Sequence, residues 1–227
     1  MNRLLITGFG PFPGVPDNPS GRLARRLATL PRLRLILGHR PDCLVLDTRY
    51  GALETHLAPA LAREPLAVLM IGVAARRRRV CVESRAVNRV SRLFPDAGGM
   101  VGRRFALDPG GPAQRWSPAA LPVRAALRRA GLAAAPSRDA GRYLCNASYF
   151  RALEKGHPVV FLHIPMPPRT KRRTDGGGRR RPVLDLWAEA FAEAARVLAL
   201  RGRARAESAF RRSGDRFGAR KRVSTRA

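Results

Sequence analysis

The chain has 227 residues, 45% of them hydrophobic, and carries 44 Lys and Arg against 16 Asp and Glu, a formal net charge of +28. That length and apolar share describe one globular domain, with or without tails, and exclude a wholly disordered chain. The charge attracts polyanions without any dedicated site and is spread along the whole sequence, so incidental, salt-sensitive nucleic-acid binding is expected from it.

From the amino terminus, "RLLITGF" (Arg3 to Phe9) reads as a buried strand, and the Gly- and Pro-rich stretch Gly8 to Pro19 as a loop. Asn18 or Ser20 caps the helix "SGRLARRLATL". "RLRLILG" (Arg32 to Gly38) and "DCLVLDTRY" read as strands, "ALETHLAPALARE" as a helix and "PLAVLMIGV" (Pro65 to Val73) as a fully apolar strand. Alternation around Val80 and Val82 suggests a short strand, and Ala86 to Trp116 reads as a long irregular excursion of the kind that is functional or disordered. Then follow the helix "SPAALPVRAALRRAG", the strand "LAAAPSRD", the helix "GRYLCNASYFRALEKG", the strand "PVVFLHIP" and the helix "VLDLWAEAFAEAARVLALRG".

Such alternation predicts an α/β fold, a single three-layer α/β/α domain with a mostly parallel twisted sheet, over residues 1–201. The Arg-rich end, 202–227, reads as a basic, disordered tail. The segments Arg76 to Arg79 and Arg169 to Arg181 read as charge runs. Cys43, Cys81 and Cys145 cannot all pair and lack metal-ligand spacing, so a reduced, cytoplasmic protein without structural zinc is expected. No run is long enough for a membrane span, and the amino terminus lacks a signal-peptide pattern.

In a parallel strand-helix-strand unit, the helix amino end and both strand carboxyl ends share one sheet edge. If "LAAAPSRD" and "PVVFLHIP" flank the helix in that way, Cys145 in its first turn meets His163 at the end of the following strand. The helix dipole then lowers the thiol pKa, and unpaired first-turn N–H groups offer an oxyanion hole. Gly141 fits the turn before the helix, and Glu83 can orient the His163 ring. The same residues also read as a buried cysteine, a core histidine and a solvated carboxylate. His56, mid-helix, and His157, at the opposite end of its strand, compete less well as bases.

At these residues the sequence resembles the pyroglutamyl peptidase I family of cysteine peptidases, also called pyrrolidone-carboxylate peptidases, from Leu4 to about Leu200. "TGFGPFPG…NPS", "GVAARRRRVCVESRAVN", "DAGRYLCN" and "VFLHIP" are similar to its motifs and occur in the same order. The resemblance implies a Cys145, His163 and Glu83 triad that removes an amino-terminal pyroglutamyl residue through a thioester, with no metal or organic cofactor. It also implies that Phe9, Phe12, Asn18 and Leu144 bind the lactam ring, a role that suits a neutral flat group needing apolar walls and a few amide hydrogen bonds. Peptides bearing that residue are the expected partners, and a homo-oligomer is compatible with the sequence. The family's oxyanion arginine falls at Leu93, with Arg92 one residue early, while Ser84 and Ala147 also depart from its pattern. These departures leave room for another small amide or cyclic imide as substrate. An inactive, basic nucleic-acid-associated protein is the reading from a different class.

Overall fold

Strands buried on both faces and helices buried along one stripe assemble here into three layers, as the alternation predicts. The computed structural model describes residues 3–102, 105–168 and 182–223, with side chains described as far as 212. Segment 169–181 and the last residues of the basic end, 224–227, lie outside the described residues.

The central sheet contains β1 (Leu4–Phe9), β2 (Asp42–Leu46), β3 (Ala67–Val73), β4 (Val80–Glu83), β7 (Ala134–Ser137) and β8 (Val159–Ile164), in the order β2-β1-β3-β8-β4-β7. A separate ribbon pairs β5 (Arg85–Val87) with β6 (Gln114–Trp116) inside the stretch expected to be irregular. The helices are α1 (Pro19–Ala28), α2 (Pro31–Leu37), α3 (Ala58–Ala62), entered through a π-helical turn at Leu53–Leu57, α4 (Ala120–Arg129), α5 (Leu144–Glu154) and α6 (Val183–Val223).

Strand parity sorts the core. Leu4, Ile6, Leu69, Ile71, Val160 and Leu162 point into one apolar cluster with α1, α2, α4 and α6. Their alternates Leu5, Phe9, Val68, Met70, Val159 and Phe161 point into a second cluster with α3 and α5. His163 and Gly72 share the parity of the second set, so they lie on the α5 face at the carboxyl edge.

Several sequence expectations are corrected. Segment 32–38 is helix rather than strand: Pro31 starts α2, Leu33 and Leu37 bury one stripe, and Gly38 ends it at a φ of 81°. β7 is not the parallel neighbour of β8, because β4 lies between them, parallel to β7 and antiparallel to β8. The shared edge survives because it depends only on α5 running against β8. Helix α6 continues past Arg201 into the region expected as a disordered tail. Among the residues whose burial is described, Gly202 is its last buried position, and residues 203–212 are exposed. A polar composition there prevents packing, but its Ala and Arg residues favour helix.

The first motif is explained by close approach. A Cβ on Gly8 would stand 2.5 Å from Ser20 O, and one on Gly21 would stand 2.6 Å from Phe9 O. Asn18 caps α1 by accepting from Ser20 N at 3.0 Å, and its amide donates to Gly10 O at 2.8 Å. Strand β1 and the start of α1 are thereby locked together, and this fixes the direction of the Phe9 to Phe12 turn.

Candidate active site

A cavity of about 300 Å³ opens at the carboxyl edge of β1, β3 and β8. Phe9, Phe12, Asn18 and Leu144 line it together with Cys145 and His163, so these expected residues meet in one place. Glu83 stands behind them, fully buried. A larger groove of about 610 Å³, walled by Arg32, Arg129, Trp187 and Glu193, holds no cysteine or histidine.

Glu83 reaches the histidine from the reversed strand. Cys81 pairs with His163 across β4 and β8, and Glu83 lies two residues further on the same face. His163 Nδ1 is 2.8 Å from Glu83 Oε1. A carboxylate accepts only, so the imidazole carries its proton on Nδ1 and presents the Nε2 lone pair. The backbone of Glu83 is held as well, because Tyr149 of α5 donates its hydroxyl to Glu83 O at 2.8 Å.

Gly72 is the ladder partner of His163 on the other side, in β3. A Cβ there would come within 3.0 Å of Cys145 Sγ and 2.7 Å of the Phe161 ring. The sulfur therefore sits over Gly72, whose backbone lies one strand spacing, about 4.8 Å, from that of His163.

Cys145 is the second residue of α5, whose cap, Tyr143, is extended and offers no side-chain hydrogen bond. Ala147 N is the first to find a helical acceptor, Tyr143 O at 3.0 Å. The N–H groups before it, the sulfur-bearing residue's among them, have no intrahelical acceptor. Gly141, at a φ of 80°, turns the chain into the helix as expected. Asn146 then ties α5 to β5: its side chain accepts from Val87 N and donates to Val87 O, both at 2.8 Å.

The resting thiol differs from the expectation of a lowered pKa. Burial, with the Glu83 charge adding to it, pushes the Cys145 thiol up to about 12, while its own backbone N–H works in the opposite direction. The sulfur is part-buried at the cavity wall, and desolvation there opposes the helix terminus.

Arg92 is not in the cavity; its guanidinium lies over the Phe105 ring, 4.9 Å from the centroid. Leu93 is 83% exposed. Ser84 donates to Ser137 O, and Ala147 is core, so none of the departing positions lines the cavity. The sequence analysis missed Thr48, Arg77, Asp139 and Tyr143, which do line it. Arg77 sat within a run of arginines, and Asp139 and Tyr143 within the motif "DAGRYLCN", whereas Thr48 carried no pattern that could have marked it.

Among the described residues no group of His, Cys, Asp and Glu is gathered to hold a metal ion, and no helix is long and apolar enough to cross a membrane.

Comparison with known proteins agrees with this geometry. Residues 2–198 match the family described as pyroglutamyl peptidase. A pyrrolidone-carboxylate peptidase of Gloeobacter violaceus is 37% identical over 77% of this chain and 86% of its own. One from Deinococcus radiodurans is 36% identical over 73% and 78%. The crystal structure of pyrrolidone carboxyl peptidase from Thermus thermophilus superposes with a TM-score of 0.71 at 34% identity, covering 85% of this chain and 98% of that one. A mutant of the Pyrococcus furiosus enzyme gives 0.72 at 27% identity over 86% and 97%.

Proposed function

The chain belongs to the pyroglutamyl peptidase family, and on that premise we propose that it removes amino-terminal pyroglutamate from peptides with Cys145 as nucleophile, His163 as base and Glu83 as the group that orients the base. The observation that carries this reading is the 2.8 Å contact between His163 and Glu83 beside a sulfur seated over Gly72, the strand neighbour of that histidine.

His163 Nε2 takes the thiol proton as Cys145 Sγ attacks the pyroglutamyl carbonyl carbon. Transfer and attack are coupled. The free N–H groups at the start of α5 receive the oxyanion. The imidazolium, stabilised by Glu83, returns its proton to the departing amine, leaving a thioester. Water, deprotonated by His163, then releases free pyroglutamate. Phe9, Phe12 and Leu144 supply apolar walls for the lactam, and Asn18, whose amide is engaged with Gly10 O, holds the turn that carries the two rings.

The test is release of a chromophore from a pyroglutamyl amide under reducing conditions, with Cys145→Ser and a panel of aminoacyl amides alongside. Turnover confined to the pyroglutamyl amide and lost in the variant is the expected result. Preference for another amide transfers the same thiol chemistry to a different substrate. No turnover of any amide contradicts the proposal.

A further inference from the structure

We infer that Arg77 is a positioning residue for the triad: it supplies the counter-charge to the Glu83 carboxylate and keeps it aimed at His163, and it fastens that carboxylate to the cavity rim at Asp139. The inference rests on the peptidase reading above and adds a residue to it.

Arg77 belongs to the run Arg76 to Arg79 in the turn between β3 and β4. Its three neighbours in that run are exposed, whereas Arg77 is turned inward. Its Nη1 lies 3.1 Å from Glu83 Oε1, the oxygen that also faces His163 Nδ1, and its Nη2 donates to Asp139 O at 2.7 Å. The Glu83 side chain has no exposure and its Oε2 finds no partner, so water contributes little to holding its charge. A buried carboxylate without a counter-ion is costly, and an uncompensated one is poorly placed to stabilise an imidazolium. Apart from His163 itself, Arg77 is the only cation in ion-pair contact with Glu83 among the described residues.

The charges then balance. Arg77 and Glu83 cancel at rest, and proton transfer from Cys145 to His163 creates a thiolate and an imidazolium without changing the net charge of the site. Without Arg77, the lone Glu83 charge opposes the thiolate. The other groups facing this centre are Cys81 on β4, Cys145 and Tyr149 on α5, and the rim residue Asp139. The contact with Asp139 O adds a mechanical link, since the rim leads through Gly141 directly into the turn that carries the nucleophile.

The experiment compares full-length wild type, Arg77→Met and Arg77→Lys by two readouts across pH. One is kcat and KM on a pyroglutamyl amide. The other is alkylation of Cys145 by iodoacetamide, followed by the mass of its own peptide so that Cys43 and Cys81 do not contribute. Arg77→Met lowers kcat roughly 10- to 100-fold with KM little changed. It also moves the acid limb of both profiles to higher pH, because the site loses a cation. Arg77→Lys keeps the charge but not the two-armed reach, so its limb stays with wild type while kcat falls a few-fold. A thermal melt checks folding, and Arg77→Gln replaces the methionine variant if that one is unfolded. Neutral variants whose acid limbs superimpose on wild type overturn the inference. If wild type turns over no amide, the peptidase reading fails, and the alkylation profiles still decide the role of Arg77.

Discussion

The two flanks of β8 serve His163 in opposite ways. On the parallel side, β3 contributes Gly72, whose missing side chain opens the space that the Cys145 sulfur occupies. On the antiparallel side, β4 contributes a buried charge, Glu83, on Nδ1 of the ring. One neighbour works by steric absence and the other by electrostatics. A base seated at the seam between parallel and antiparallel strands can thus be packed on one side by its nucleophile and held on the other by its orienter.

Substitutions break this arrangement to different degrees. Cys145→Ala removes the nucleophile that the space accommodates, and kcat on a pyroglutamyl amide falls by about three orders of magnitude or more with the fold intact by circular dichroism. Glu83→Gln keeps the shape of the antiparallel flank but not its charge, so kcat falls by roughly 10²- to 10⁴-fold while substrate binding is nearly unchanged. Gly72→Ala acts on the parallel flank alone. Its methyl meets both Cys145 Sγ and the Phe161 ring, and displacement of the sulfur lowers kcat by about 10- to 100-fold.

Smaller effects sharpen the contrast by affecting support rather than chemistry. Asn146→Ala strands the Val87 N–H and carbonyl, costing about 2 kcal/mol of stability in denaturant titration. Asp96 anchors the excursion beside Tyr50 by accepting from Tyr50 N, Gly98 N and Met100 N. Burial alone would raise its pKa, but these N–H groups and Arg49 outweigh burial and hold it below the ordinary value of 3.8. Its stabilising contribution is therefore complete above that value and is lost as pH falls through the depressed one. Hydrogen exchange at Gly98 and Met100 should accelerate there, after correction for intrinsic rates, before the sheet opens.

Fully buried strands leave apolar runs, so β1, β3 and β8 were legible, as were Cys145, His163 and Glu83 once the motifs were placed in order. Strand direction was not, because periodicity is the same whichever way a strand runs, and the reversal of β4 appears only in its pairing. Segment 32–38 misled because alternating Arg and Leu imitates a strand, although Pro31 and Gly38 are the helix punctuation that could have corrected it. Arg77 falls within the quoted glycine-led motif, but its role becomes visible only on folding, which turns it inward among exposed neighbours. The desolvation of the thiol was not legible, because a helix terminus is visible in sequence whereas packing against the sulfur is not.

The most direct measurement is a rapid-quench experiment with a pyroglutamyl amide, digestion at acid pH and mass analysis of all three cysteine peptides. The account predicts one pyroglutamyl group on the Cys145 peptide, formed and lost at rates matching turnover and absent in Cys145→Ser. Turnover with no adduct at Cys145, or a kinetically competent adduct at Cys43 or Cys81, would contradict it.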